Sequence, residues 1–169
     1  MGGVSGRVVR EEPGPGQLSV WEFPRPPALV QWHEQVRVVL GGVAVAETDE
    51  AWCVLETSHP PTYYLPPTCF VTGSLRQARG SSFCEWKGVA AYLDVVGGDR
   101  VAERAAWTYP DPVPAYDVLR DHVSLYPAAM DTVTVDGVPV TPQPGGFYGG
   151  WITPRVVGPF KGAPGTLGW

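Results

Sequence analysis

The chain has 169 residues and a formal net charge of -5, with a pI near 5.1. This acidic balance argues against a protein that binds the phosphate backbone of nucleic acids, which requires a clustered basic face. No apolar run approaches the roughly 20 residues of a membrane-spanning helix, and residues 1–10 lack the apolar core of a signal peptide. We therefore expect a cytoplasmic protein with no nucleic-acid partner and no membrane partner.

Glycine and proline are abundant, at 21 and 19 residues, and hydrophobic residues make up 44% of the chain. This combination favours one domain with a buried core and little regular helix. Cys53, Cys69 and Cys84 are an odd number of cysteines and form no close pair of the kind that holds structural zinc. We expect free thiols in a reducing cytosol, no metal and no cofactor.

The N-terminal part of the chain divides into two segments. Residues 1–17 are rich in glycine and charge and lack periodicity, which predicts a disordered tail. Residues 18–32 combine three aromatic rings with three prolines in four positions. Because proline fixes φ and removes a backbone donor, this segment is predicted to be an extended arm whose rings dock on the domain. A linker with exposed rings is the alternative.

From Val36 onwards the pattern is typical of β-strands. Residues 36–49 place two short apolar runs around Gly41 and Gly42, which predicts a hairpin. Residues 51–57 alternate in polarity and predict a third strand. Residues 58–67 contain four prolines and two tyrosines, so we expect an ordered loop there.

The middle of the chain predicts a second hairpin and a helix. Residues 68–80 are polar and are predicted to be a connection, whereas residues 83–96 are predicted to form one strand. Gly97 and Gly98 indicate a turn, after which residues 100–107 return as the partner strand. Residues 115–123 place apolar side chains at helical spacing and predict one short helix.

The C-terminal part predicts a last hairpin over Asp136 and Gly137, so that residues 18–140 form the single domain. Residues 141–169 are too apolar for disorder and not periodic enough for a helix. We expect this extension to pack on the domain. It would close either the chain's own pocket or that of a neighbouring subunit, which leaves a homodimer open.

A candidate pocket lies in the sequence Ser81–Tyr92, where a thiol, a carboxylate, an indole and an amine follow one another. In an extended strand Cys84, Trp86 and Tyr92 share one face, and the small residues between them leave an open floor. A bulge at Gly88 would bring Lys87 onto the same face.

Three blocks of sequence carry a resemblance to a known family: ETSHPPTYYLP at residues 56–66, FCEWKGVAAY at 83–92 and AAWTYPDP at 105–112. Together they resemble the bacterial and fungal family called domain of unknown function 427, over roughly residues 24–128. The resemblance implies a mainly β fold of the β-tent (Mss4-like) type, built of antiparallel hairpins with one short helix.

The family pattern carries over to nine residues: Glu56, His59, Tyr64, Cys84, Lys87, Gly88, Tyr92, Trp107 and Tyr109. The aromatic arm and the tail at residues 147–169 are additions to it. Two cysteine pairs that hold zinc in many β-tent proteins are absent. The family is also labelled nucleotidyltransferase-like, but the sequence has neither a glycine-rich phosphate loop before a helix nor paired aspartates suited to magnesium. The turn KGAPG at residues 161–165 precedes no helix, which disfavours a phosphate site there.

Four side chains are candidate catalytic groups. Glu56 three residues before His59 could orient the imidazole and leave its other nitrogen free for acid–base chemistry; alternatively, His59 caps the Pro-Pro turn. Lys87 beside Cys84 could stabilise a thiolate, or could itself act as a neutral amine nucleophile. The opposing interpretation is a buried cysteine and a lysine paired with a carboxylate of the hairpin.

Seven aromatic residues are candidate ligand-binding groups, because indoles and phenols supply large contact areas with a polar atom each. They are Tyr63, Tyr64, Trp86, Tyr92, Trp107, Tyr109 and Trp151. Each of them could instead belong to the core.

Three functions remain open at this stage. The first is binding of a small molecule in an aromatic pocket around Lys87 and Trp107. The second is an enzyme that performs acid–base or covalent chemistry on a small organic substrate in the same pocket. The third is an adaptor that docks a partner protein through the proline-rich arm and the aromatic tail.

Overall fold

The computed structural model describes residues 7–169, and within that range the chain is built of β-strands and short 3-10 helices without an α-helix. The strands are β1 (Leu18–Ser19), β2 (Ala28–Val30), β3 (Val36–Leu40), β4 (Val43–Thr48), β5 (Trp52–Leu55), β6 (Thr62–Tyr64), β7 (Leu75–Cys84), β8 (Gly88–Gly97), β9 (Arg100–Thr108), β10 (Val123–Leu125), β11 (Thr132–Val135), β12 (Val138–Pro139), β13 (Thr141–Pro142), β14 (Trp151–Ile152) and β15 (Val156–Val157). The 3-10 helices are Val20–Glu22, Pro67–Cys69, Pro114–Leu119 and Pro127–Ala129. The mainly β fold predicted from the sequence is confirmed.

Two four-stranded antiparallel sheets, in the orders β12-β11-β3-β4 and β10-β9-β8-β7, enclose the main core. On β3 the fully buried residues Val36, Val38 and Leu40 alternate with more exposed ones. They belong to one apolar cluster with Val95 of β8. Since successive side chains of a strand point to opposite faces, this alternation is what lets β3 bury one face against the second sheet.

A three-stranded sheet, β2-β5-β6, continues into the second four-stranded sheet. Leu65, directly after β6, exchanges two backbone hydrogen bonds of 2.8 Å with Val123 of β10. The bridge places β6 beside β10, which pairs with β9. Side chains from β5, β6, β8 and β9 can therefore converge on one site.

The glycine pairs predicted as turns form the expected hairpins, and they also contact each other. The Gly41 and Gly42 turn joins β3 to β4, and the Gly97 and Gly98 turn joins β8 to β9. A Cβ atom on Gly41, which has a φ of 60°, would lie 1.9 Å from the carbonyl oxygen of Gly97. Only glycine permits this approach of the two backbones.

The hairpin before β9 differs from the sequence prediction. Residues 68–80 are not all connection, because β7 begins at Leu75, and residues 83–96 are not one strand, because the chain reverses at 85–87 and Cys84 pairs with Gly88. β7 lies at the edge of its sheet with most of its side chains exposed, so its polar composition concealed a strand. Gly88, with a φ of 110°, permits the reversal.

The helix predicted at residues 115–123 is also wrong. The chain forms a 3-10 helix at Pro114–Leu119, interrupted at Tyr116, and then enters β10 at Val123. A helix this short has little stability of its own. The backbone bonds between Val123 and Leu65 therefore decide the conformation at its end.

The two terminal parts of residues 7–169 pack on the domain and on each other. β1 pairs in parallel with β15, and β13 pairs with β14 within the C-terminal extension. The aromatic arm does more than dock its rings, because β2 is a strand of a sheet and Phe23 is buried. Of the segment predicted to be a disordered tail, residues 1–6 lie outside the described residues, and Glu11 donates a backbone hydrogen bond to Gly158. Among residues 7–169, no helix is long and apolar enough to cross a membrane.

Candidate functional site

A cavity of about 360 Å³ lies where the β7–β8 hairpin, the end of β5, β6 and β9 meet the C-terminal extension. The hairpin contributes residues 82–87 to its wall, and the extension contributes residues 147–149 and Lys161. Four parts of the chain that are distant in sequence therefore form one site.

Lys87 reaches this cavity from the turn of the hairpin. Its carbonyl oxygen accepts a 2.8 Å hydrogen bond from the backbone N–H of Val113, which holds the turn against residues 111–113. Its side chain is buried, and Nζ lies 5.7 Å from the ring centroid of Tyr109. A tight turn that begins β8 at Gly88, rather than a bulge within a strand, thus directs the amine inward.

The charge of Lys87 is not balanced by a carboxylate. Among residues 7–169, none of the salt bridges includes Lys87. Burial by itself lowers the pKa of this ammonium, but Tyr64 and Cys84 beside it outweigh that effect, and the net pKa is raised above the ordinary lysine value. Lys87 is therefore positively charged at neutral pH, which disfavours the predicted neutral amine nucleophile.

Glu56, which also lines the cavity, is a stable anion. Its Oε2 atom lies 3.2 Å from Nε of Arg25 and 3.4 Å from Nε2 of His59. Burial by itself raises the pKa of Glu56, but hydrogen bonds and charges from His59 and Arg25 outweigh that effect and lower the pKa to about 2. The carboxylate is thus engaged by two partners of its own protein.

His59 has both ring nitrogens occupied, which corrects the predicted acid–base pair. Gln143 accepts a hydrogen bond from the Gly150 N–H at Oε1 and donates to the Lys161 carbonyl from Nε2, so its amide orientation is determined. The same Nε2 lies 3.1 Å from Nδ1 of His59 and must donate to it. His59 consequently carries its proton on Nε2, directed at Glu56, and no ring nitrogen is free for a substrate.

Tyr64, Trp107 and Tyr109 form the inner aromatic wall. The indole Nε1 of Trp107 donates to the Tyr64 hydroxyl over 3.3 Å, and the rings of Tyr64 and Tyr109 lie 6.2 Å apart. Burial is the main cause that raises the pKa of Tyr109, which keeps its phenol protonated. All three side chains are at least nine-tenths buried, yet all three line the cavity.

Cys84, Trp86 and Tyr92 form the outer part of the wall. All three are partly exposed, and Cys84 is a free thiol. The guanidinium of Arg104 lies 4.7 Å from the ring centroid of Tyr92 on its own sheet.

Tyr63 and Trp151 do not reach the cavity, so these two predicted ligand-binding residues are reassigned to the core. Trp151 is completely buried and stacks on Tyr63 with ring centroids 4.7 Å apart. Its indole donates to the Leu125 carbonyl, and the Tyr63 hydroxyl donates to Glu34 over 2.7 Å. Every polar atom of the two side chains is bonded within the protein.

The C-terminal extension supplies the wall residues that the sequence reasoning missed. Phe147 and Tyr148 line the cavity, and the hydroxyl of Tyr126 donates to the Phe147 carbonyl over 3.1 Å. Gly149 packs so closely on Trp107 that a Cβ atom would lie 2.1 Å from the indole.

The scarcity of lysine in the sequence is a signal that points to Lys161. The chain contains only two lysines, and the other ten of its twelve basic residues are arginines. Both lysines, Lys87 and Lys161, line this cavity. Because lysine is so rare in this chain, Lys161 marks the C-terminal extension as a part of the site that contains Lys87.

Comparison with known proteins supports the resemblance seen in the sequence. A family model described as a domain of unknown function (DUF427) matches residues 28–136. No curated protein matches the chain. The matched range contains most of the cavity wall, while Phe147, Tyr148 and Lys161 lie beyond it.

Proposed function

The chain belongs to the DUF427 family, and we propose that it binds a small organic molecule in the aromatic cavity around Lys87 and Trp107. The volume of about 360 Å³ is at the lower end of the range typical of ligand pockets. A ligand with one or two rings is the expected size.

The observation that carries this proposal is that large aromatic side chains are buried without filling the space beside them. Trp107 is 9% exposed and Tyr64 is 1% exposed, yet both line open space. Protein interiors are normally close-packed, and rings of this size gain most of their stabilisation by contact. A ligand would supply the contacts that the protein leaves unmade on these faces.

Two observations weigh against an enzyme in the same cavity. His59 has no free ring nitrogen with which to exchange a proton, and Lys87 is charged at neutral pH. General acid–base catalysis requires a group within hydrogen-bonding reach of the substrate, and an amine nucleophile must be deprotonated. Binding therefore ranks above catalysis.

We extend the proposal to the setting of the protein. The three cysteines are free thiols, which supports a reducing, cytoplasmic compartment. The antiparallel hairpins support the β-tent (Mss4-like) arrangement that the family resemblance implies.

A fragment screen by saturation-transfer NMR tests the binding function. We expect several one- or two-ring fragments to give transfer signals with the wild-type protein and to lose them with Trp107→Leu. The matched control is Trp32→Leu, which removes an indole that stacks on Arg155 away from the cavity and should keep the signals. Signals of equal strength in both variants, or no fragment binding to the wild type, would contradict the proposal.

A further inference from the structure

We propose that the ligand is an organic anion whose carboxylate is held at the inner end of the cavity by Lys87, Tyr64 and Tyr109, with an apolar body facing the mouth. This inference rests on the binding function proposed above and adds the charge of the ligand and its orientation. It follows from the different chemistry of the two ends of the cavity.

The inner end holds a buried ammonium that no carboxylate of the described residues contacts. Lys87 is only 9% exposed and forms no salt bridge within residues 7–169. A buried charge is costly unless it is paired and hydrogen-bonded. Its nearest aromatic partner is the Tyr109 ring at 5.7 Å, a much weaker partner than a carboxylate. A bound anion would provide the missing counter-charge.

Two phenols add neutral donors beside the ammonium. The Tyr64 hydroxyl accepts the indole hydrogen bond from Trp107 with its lone pair, which leaves its own proton available to donate. Tyr109 lies next to Tyr64, and burial together with hydrogen bonds to Tyr64 and Cys84 raises its pKa and keeps the phenol protonated, so a carboxylate would replace one of these partners as its acceptor. An ammonium and two hydroxyl donors suit the oxygens of a carboxylate, which accept hydrogen bonds only.

The other charged groups of the wall form no ion pair with Lys87. Glu56 acts on Lys87 only through its charge at a distance, because its carboxylate is bonded to Arg25 and His59. Glu85 is exposed on the hairpin turn. The second lysine of the wall, Lys161, donates one hydrogen bond from Nζ to the Trp169 main-chain oxygen over 3.3 Å and is less buried than Lys87. Lys87 is thus the buried cation of the wall.

Two large apolar side chains lie exposed at the mouth of the cavity. Phe83 on the hairpin is 77% exposed, and Phe147 on the C-terminal extension is 74% exposed. Both line the cavity, although they come from separate segments. Large apolar side chains at a rim favour an apolar ligand surface there, because contact removes both from water. The carboxylate therefore points inward and the ring system outward.

The two lysines make this proposal directly measurable. Protein labelled with carbon-13 at lysine Cε gives one CH₂ signal from Lys87 and one from Lys161, since the chain has no other lysine. The variant Lys161→Met assigns the two signals. Three probes of one shape but different charge are then titrated: 2-naphthoate, 2-naphthamide and 2-naphthylmethylammonium.

We expect 2-naphthoate to bind at least about tenfold more tightly than either other probe, because a charge-assisted hydrogen bond is worth that much or more. It should shift the Lys87 signal more than the Lys161 signal. Lys87→Met should abolish the preference for the anion while naphthamide binding stays within about twofold. Lys87→Arg should keep part of the preference, and Lys161→Met should keep most of it. Urea denaturation verifies that each variant is folded.

The outcomes separate this inference from the binding function. Equal affinity for the naphthoate and the amide, or tighter binding of the ammonium, would overturn the anion proposal and leave small-molecule binding intact. The anion proposal also fails if none of the three probes binds a protein that does bind other fragments. Failure of every fragment and every probe would remove both proposals. An anion preference that survives in Lys87→Met would overturn the assignment to Lys87.

Discussion

Tyr63 and Tyr64 are neighbours on β6 with the same exposure, 1% each, and they serve two different regions. Tyr63 stacks on Trp151 with an interplanar angle of 10° and donates to Glu34. Tyr64 points to the other face of the strand, where it accepts from Trp107 and borders the cavity. Successive residues of a strand face opposite sides, so one β-strand serves both regions.

Burial therefore does not distinguish the core from the candidate site in this protein. In the core region, Tyr63 and Trp151 stack on each other and complete their hydrogen bonds with residues of the protein. The cavity region leaves ring faces uncovered and the ammonium of Lys87 unpaired among the described residues. The two regions differ in how completely neighbouring residues contact each buried side chain. We therefore expect substitutions in the core to cost more stability than substitutions at the cavity wall.

The largest effect should come from removing an indole of the core. Trp151→Ala is expected to lower the free energy of unfolding by about 3–5 kcal/mol, because the surrounding side chains cannot fill the space. Trp86→Ala, at the partly exposed wall of the cavity, should cost about 1 kcal/mol or less. Urea denaturation measures both, and similar losses would show that the two regions are not distinct.

The adjacent tyrosines allow a finer test of the two regions, because a Tyr→Phe substitution removes only one hydroxyl group from each. Tyr63→Phe leaves a buried oxygen of Glu34 without its donor, so we expect a loss of about 1.5–3 kcal/mol. Tyr64→Phe removes a long, 3.3 Å hydrogen bond between two neutral groups, and should cost about 1 kcal/mol. Denaturation curves of the two variants should differ in midpoint; coincident curves would argue against the comparison.

The Glu56 carboxylate should contribute pH-dependent stability on the cavity side. Its pKa is lowered to about 2 in the folded protein, so it stabilises the fold above the unfolded pKa, and this contribution is lost as the pH falls towards 2. The difference in the free energy of unfolding between wild type and Glu56→Gln should shrink by about 1–2 kcal/mol from pH 5 to pH 2. The effect is limited to this size because the partly exposed carboxylate is screened by water.

The control for that measurement is Glu47→Gln. Glu47 pairs with Arg37 at 2.7 Å on the surface, where both side chains are more than half exposed. An exposed pair contributes about 0–1 kcal/mol, so its pH dependence should be small. An equal pH dependence in both variants would contradict the specific role of Glu56.

The smallest effect is expected in the rate at which Lys87 is alkylated at neutral pH, a measurement that leaves the stability of the protein unchanged. Reductive alkylation by a small aldehyde should modify Lys87 more slowly in the folded protein than in urea, because the buried side chain is less accessible and its raised pKa lowers the neutral fraction of the amine. Peptide mass spectrometry separates Lys87 from Lys161. Equal rates for Lys87 in the folded and unfolded chain would show that folding neither shields the amine nor raises its pKa.

Local signals were sufficient for part of this structure. The Gly41–Gly42 and Gly97–Gly98 turns, the scarcity of helix and the family membership could all be read from short motifs. The strand at Leu75–Cys84 could not, because an edge strand with exposed polar side chains has the composition of a loop. The helix predicted after Pro114 failed because the bond between Leu65 and Val123 outweighed a weak local preference.

The candidate site divides along the same line. The sequence by itself determined which chemical groups the β7–β8 hairpin and β6 carry, and that Tyr63 and Tyr64 face opposite sides. Only the tertiary structure decided which side holds the cavity, and it did so through contacts between distant segments. Gln143 occupies the nitrogen of His59 from 84 residues away along the chain. Such a contact depends on how the C-terminal extension packs on the domain. The spacing of residues within either segment does not predict that packing.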